Sequence, residues 1–438
     1  MSFELLIHHA RHALLAVIGT ARYQRLKIRA RETLIALGPD TTAMAQRAEL
    51  AWTKGDAADA EREWLALAAA QPLAAEWPIK LAHAADMQGE HLRAEQIVDA
   101  AWARGVHDPD IAERIAFFRR TNRLSNTAID DAIASVRDPK AAPLMILRAA
   151  HYLLSEGRLA EAREGFARVP DLPRYEGMMR SCRAALGVLE QAQAEGQTLL
   201  GGTLSPARDT LLVREPGADT TVIVFTTVRG DCGIPLNAVH ALLQPAKVNA
   251  IYLFDDRKQF NLGGNTTLGR PYPAMIERLR AQLAEWGTRT LITIGFSAGG
   301  FVALRTGLSL KADGALLFSP VVSLHRRPER PIERALGNPE DDARMLATEK
   351  YLRRTVPEMM TRLPDEMPGR DCLKTIEIHF GRNLTDMVHV NAVWDMPGIT
   401  FHPVEGFAGH ECLSEILRRG DKEIFARFIE GVRAAKQG

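Results

Sequence analysis

A marker residue recurs every 34 positions through the first half of the chain, at Gly55, Gly89, Arg123 and Gly157. Seven residues before each marker stand Ala48, Ala82, Ala116 and Ala150, and five after each stand Ala60, Ala94, Ala128 and Ala162. The ninth position after the marker is Trp64, Val98, Ala132 and Phe166, mostly large and apolar. Self-similarity on this length scale dictates an array of small supersecondary units. Each unit reads as a helix–turn–helix. Alanines where two helices cross let the backbones approach, and the marker glycine ends the first helix in a left-handed conformation. One unit cannot bury its apolar face alone, so the units must stack into an all-α solenoid.

Residues 41–176 resemble the tetratricopeptide repeat in unit length and in the placement of small residues and turn glycine. They depart from it at Arg123, which stands where glycine belongs, and in the family's late proline, matched only by Pro72. Residues 177–196, with Met178, Cys182, Leu186 and Leu189, predict a capping helix. The resemblance implies a concave surface that takes a peptide or protein partner. A rigid arm, or self-association through the repeats, is the alternative of equal weight.

From residue 197 to the end the texture changes to short apolar runs alternating with helical stretches, the pattern of an α/β domain with a mainly parallel sheet. Strands are expected at 210–214, 221–226, 250–254, 290–294, 314–318, 375–380 and 399–404. Several are unbroken apolar runs, as strands covered on both faces require. Pro273 opens a helix in which Ile276, Leu279, Leu283 and Trp286 recur at helical spacing.

One stretch carries chemistry. Leu291-Ile-Thr-Ile294 runs into Gly295-Phe296-Ser297-Ala298-Gly299, and Phe301, Val302, Leu304 and Leu308 then form a helical apolar face. Strand, Gly-x-Ser-x-Gly and helix in that order form a sharp turn that lifts one hydroxyl above a sheet edge. This half of the chain therefore resembles the α/β-hydrolase superfamily, whose nucleophile elbow has this pattern.

The resemblance implies a triad in the chain order Ser, acid, His. Serine needs a base because its hydroxyl is protonated at neutral pH, and the base needs a carboxylate to fix its tautomer. His410, in Phe407-Ala408-Gly409-His410 after the last strand, stands where the family carries its base. Asp386, after the penultimate strand, is similar to the family's acid; its other reading is an N-cap for the following helix. Asp395 and Glu405 are reserves, and Asp371 precedes the strand. Among the other histidines, His379 and His402 fall inside strands, His389 on a helix and His325 in a basic loop. The oxyanion hole needs two backbone N–H donors. Ala298 is one, and Thr227 or Val228 the other. The His-Gly of many lipases is absent at this loop. Arg229 and Phe296 join Val228 as substrate-binding candidates. Cys232 and Cys412 lack an activating context and read as structural.

The remaining composition excludes more than it suggests. Basic and acidic side chains number 55 and 54, so no electrostatic case for nucleic acid exists. Four scattered cysteines without a C-x-x-C pair argue against a disulfide scaffold or a zinc knuckle and fit a reducing, cytoplasmic setting. Residues 1–40 form a separate helical segment; its basic face over 1–37 reads as solvated, a membrane-surface helix being the weaker alternative. The segment lacks the cationic start and cleavage site of a signal peptide. Residues 324–370, rich in Arg, Glu and Pro, fall where a cap inserts between strands.

The leading expectation is a serine hydrolase that cleaves an ester or acyl bond through an acyl-enzyme. An acyltransferase, with a sugar hydroxyl in place of water, would use the same triad. A non-enzymatic repeat scaffold on a degenerate hydrolase fold is the reading from another class. Residues 220–415 have a loose likeness to bacterial hydrolase-like proteins linked with glycan modification, which suggests a small-molecule or glycan-type acyl substrate. This chemistry calls for no cofactor and no metal, and no Walker motif is present.

Overall fold

The computed structural model describes residues 41–437 apart from 54–56, 88–89, 109, 113, 116–117, 119–125, 202–203, 205–207, 228–229, 257–258, 323–351, 355, 357–362, 364–366 and 368–370. The expected N-terminal segment 1–40 and nearly all of the expected 324–370 insertion lie outside these residues.

The first half is a succession of helices: α1 (Thr41–Thr53), α2 (Ala57–Ala70), α3 (Glu76–Met87), α4 (His91–Ala103), α5 (Asn126–Arg137), α6 (Pro143–Ser155) and α7 (Leu159–Arg168). They pack as neighbours, α1 on α2, α3 on α4 and α6 on α7. Ala48, Ala60, Ala82, Ala94, Ala150 and Ala162 are all fully buried, as expected of small residues at crossings. At Gly157, φ is +74° and the N–H donates to the Leu154 carbonyl, so the glycine closes α6 in the left-handed region. Gly55, Gly89 and Arg123 lie outside the described residues. Helix α8 (Pro173–Ala194) begins four residues earlier than the sequence reading placed it. Pro173 in the first turn after extended Leu172 sets that start, since proline's fixed φ suits the turn and its missing N–H is not needed there.

The second half alternates strands and helices: β1 (Thr210–Val213), β2 (Thr220–Phe225), α9 (Leu236–Leu243), β3 (Asn249–Leu253), α10 (Tyr272–Glu285), β4 (Thr290–Phe296), α11 (Gly299–Leu310), β5 (Gly314–Phe318), β6 (Thr375–Phe380), α12 (Leu384–Asn391), β7 (Ile399–Pro403), α13 (Cys412–Arg418) and α14 (Ile424–Gln437). The strands form one seven-stranded sheet in the order β1-β3-β2-β4-β5-β6-β7. Every neighbouring pair is parallel except β1 with β3.

Side chains alternate between the two faces with the strand period of two. Val222, Val224, Ile292, Ile294 and Phe318 face one apolar cluster, while Ile223, Phe225 and Leu317 face the other with α10 and α11. The first cluster contains residues of α9, α13 and α14, and also Leu147, Leu154, Cys182 and Leu189 from α6 and α8. The change at residue 197 is thus a change of element type and not a gap in packing. Asn237 of α9 donates to the Leu154 carbonyl at 2.8 Å across this junction. Among the described residues, no helix is long and apolar enough to cross a membrane.

Candidate active site

The elbow is built from backbone proximity. Ser297 sits between β4 and α11 with φ +50°, a region that costs a non-glycine residue about 1–2 kcal/mol. The surrounding structure holds it there. Its N–H donates to the Phe318 carbonyl at 3.0 Å, and its own carbonyl accepts from Gly300 and Val321 at 3.0 and 2.8 Å. A Cβ at Gly295 would lie 2.6 Å from the Gly300 Cα and 2.8 Å from the Ala303 Cβ, and one at Gly299 would lie 2.6 Å from the Thr226 carbonyl oxygen. Both glycines are required because β4 meets α11, and α11 meets the end of β2, with no room for a side chain. Gly299→Ala is expected to cost roughly 3 kcal/mol, read as a lower denaturation midpoint in urea with an unchanged slope.

Two loops converge on this serine. After β6 the chain turns through Gly381 into α12, with Asn383 as the helix N-cap: its side chain accepts the Asp386 N–H at 2.9 Å. The cap reading of Asp386 is therefore corrected; Asp386 lies in the first helical turn, where its carboxylate is available to other partners. Its side chain is fully buried. One oxygen accepts the Gly381 N–H at 2.9 Å, and the other lies 2.6 Å from Nδ1 of His410.

After β7, Phe407 to His410 form the second loop. Arg382 N–H donates to the Phe407 carbonyl at 2.8 Å, and the Asn383 amide donates to the Gly409 carbonyl at 2.9 Å. A Cβ on Gly381 would overlap the Gly409 carbonyl oxygen. The acid loop and the histidine loop are thus fastened together before either touches the serine. Arg180 of α8 lies over the Phe407 ring at 5.1 Å, so the last helix of the array buttresses this loop. His410 Nε2 stands 2.9 Å from the Ser297 hydroxyl. In Gly381→Ala the two loops must separate, and kcat/KM for any ester substrate is expected to fall about 100-fold with the circular dichroism spectrum retained.

The structure thereby brings Ser297, His410 and Asp386 into one hydrogen-bonded line. Among the described residues, the other candidate histidines lie elsewhere, and His325 is outside those residues. His389 is buried on α12, and His379 and His402 face each other across β6 and β7. Ala298 stands at the N-cap of α11, at the positive end of the helix dipole. Two other expectations need correction. The Thr227 N–H donates to the Asp231 carbonyl at 2.7 Å, closing a tight turn, so it is not aimed at the serine. Phe296, expected near substrate, is 2 % exposed and stacks on Phe318 at 5.1 Å, because strand alternation turns it into the core. Val228 and Arg229 lie outside the described residues.

All four cysteines are buried and unpaired in disulfides. Burial pushes the Cys412 thiol up to about 12 and the Cys232 thiol well above its ordinary value, so neither is a nucleophile at neutral pH. Asn383 went unnoticed in the sequence, although Asn three residues before the acid is an N-cap signature. Among the described residues, one group of metal-capable side chains also comes together, Glu377, His379 and His402.

No family model and no curated protein matches the sequence. Solved structures do resemble it. Esterase LipW from Mycobacterium marinum is 14% identical, with a TM-score of 0.36, over 59% of this chain and 88% of that one. The esterase from the archaeon Pyrobaculum calidifontis is 8% identical, with a TM-score of 0.35, over 59% and 94%. A hydrolase from Oleispira antarctica is 9% identical, with a TM-score of 0.31, over 51% and 94%.

Proposed function

We propose that the chain is a serine hydrolase of the α/β-hydrolase type that cleaves an ester or acyl bond. The observation that carries this reading is the continuous line from the Ser297 hydroxyl through His410 to buried Asp386, with separations of 2.9 and 2.6 Å. His410 takes the Ser297 proton as the hydroxyl oxygen attacks a carbonyl, and Asp386 holds the imidazole tautomer and stabilises the imidazolium. The tetrahedral oxyanion is received by the Ala298 N–H at the start of α11. Collapse expels the alcohol with the proton from His410. Water, deprotonated by the same imidazole, then releases the acid.

The described part of the 324–370 insertion supports a cap beside the serine. Leu352, Val356, Leu363 and Met367 are buried in one apolar cluster with Ala298 and Phe301. The substrate class in this reading is a small-molecule or glycan-borne acyl ester.

The helices α1 to α7 are, in this reading, divergent tetratricopeptide-like repeats with α8 as their cap. A groove of about 480 Å³ between them, lined by Leu65, Pro72, Pro78, Leu81, Arg93 and Ile97, suits a peptide partner. Buried thiols outside disulfides fit a cytoplasmic setting.

The test is pre-steady-state hydrolysis of nitrophenyl esters of graded acyl length, alongside acetylated sugars. A burst of one nitrophenol per chain, followed by slower turnover, is the expected acyl-enzyme signature. A folded protein that turns over none of them and shows no burst would sink the reading.

A further inference from the structure

Strands β6 and β7 run parallel with His379 opposite His402, and Glu377 lies two residues before His379 on the same strand face. The Glu377 carboxylate oxygen is 3.5 Å from Nε2 of each histidine. One ligand atom from each of the three lies within 4.8 Å of the other two. Both Nε2 atoms are buried, and the Glu377 carboxylate at 3.5 Å is the polar group that faces each. His379 as a whole is 8 % exposed. Two buried ring nitrogens that share one carboxylate at 3.5 Å are poorly satisfied, and a common cation coordinates all three groups at once. From these observations we infer that Glu377, His379 and His402 bind one divalent transition-metal ion, with zinc as the best match.

The donor set selects the metal. Two imidazoles and one carboxylate suit zinc, whereas magnesium and calcium require mostly oxygen ligands. Three protein donors leave a fourth position for water. Each imidazole must carry its proton on Nδ1, so that the Nε2 lone pair meets the ion. The two rings are stacked, 4.5 Å between centroids and 10° between planes, so bound metal must tilt one ring until the lone pairs converge. His402 has the room to do so. Its side chain is 40 % exposed, and β7 is the edge strand of the sheet. The nearby Arg427 does not oppose the ion strongly, because its guanidinium is paired with Asp421 at 2.6 Å.

The site has a mechanical consequence. It clips β6 to β7, the two strands whose following loops carry Asp386 and His410. Metal loading therefore holds the two loops in register from below, away from the reacting atoms. The inference does not depend on the hydrolase reading, since its readouts are binding and spectra.

The experiment is equilibrium dialysis of the metal-stripped full chain against zinc, with cobalt substitution followed by visible absorption. One zinc per chain is expected, with cobalt giving the d–d bands of a low-coordinate N/O site. His402→Ala should weaken zinc binding at least tenfold and abolish those bands, and Glu377→Gln should weaken it similarly, both with unchanged far-ultraviolet circular dichroism. His410→Ala should leave the stoichiometry and affinity as they were. The inference is overturned if the parent chain takes up no zinc, if His402→Ala binds zinc as the parent does, or if His410→Ala removes the ion instead.

Discussion

Ser297→Ala is expected to lower kcat for an activated ester by about 100,000-fold while the protein stays folded. The loss is large because alanine removes the attacking oxygen itself. The Ser297 hydroxyl lies within hydrogen-bond reach of His410 Nε2, and the buried Cys232 and Cys412 thiols are kept protonated. Stability should hardly change. Alanine and serine pay similar strain at φ +50°, and the elbow is held by the backbone hydrogen bonds of residue 297, which alanine keeps. Unfolding free energies of parent and variant should therefore agree to within about 0.5 kcal/mol. A steady-state assay and a urea titration on the same preparations check both halves. A variant retaining a tenth of the parent activity would exclude Ser297 as the nucleophile.

Asp386→Asn is expected to reduce kcat/KM by about 10,000-fold, through tautomer and not through loss of shape. The buried carboxylate accepts on both oxygens, from Gly381 N–H on one and from His410 Nδ1 on the other. An amide has one acceptor and one donor end. If its oxygen faces His410, its NH₂ group opposes the Gly381 N–H. If its oxygen faces Gly381, His410 must present a lone pair at Nδ1 and carry its proton on Nε2, toward Ser297, where it is useless as a base. The first arrangement leaves a buried donor–donor mismatch that costs about 1–3 kcal/mol, whereas the second satisfies both contacts and disables the base, so the loss falls on turnover more than on stability. Combined kinetic and denaturation measurements are the check. Unimpaired turnover in this variant would show that Asp386 does not orient the histidine.

Much of the fold was legible because its strands declare themselves. β5 and β6 fall on the expected residues, and the other strands differ by one or two at their ends, since 222–225, 250–253 and 314–318 are apolar on both faces and bounded by turn residues. The helical character of the first half was legible too, because its spaced alanines predict buried small residues, and Ala48, Ala82 and Ala150 are buried. Ser297, His410 and Asp386 could be nominated from chain order and loop chemistry. Interactions set by three-dimensional register could not. The turn that occupies the Thr227 N–H depends on Asp231 folding back, and Phe296 is turned inward by the pleat of β4. The pairing of His379 with His402 depends on how β7 slides along β6, which no local pattern encodes. Likewise, α8 reads as a cap in the sequence, yet it packs on α9 and α13 and supports the Phe407 loop.

The most direct test of the central claim is the site of covalent capture by a fluorophosphonate, mapped by tandem mass spectrometry of the digested folded chain. The account predicts a single adduct on the peptide containing Ser297, absent after heat denaturation and absent from His410→Ala. A native, folded chain that carries the adduct on another residue, or none at all, would contradict it.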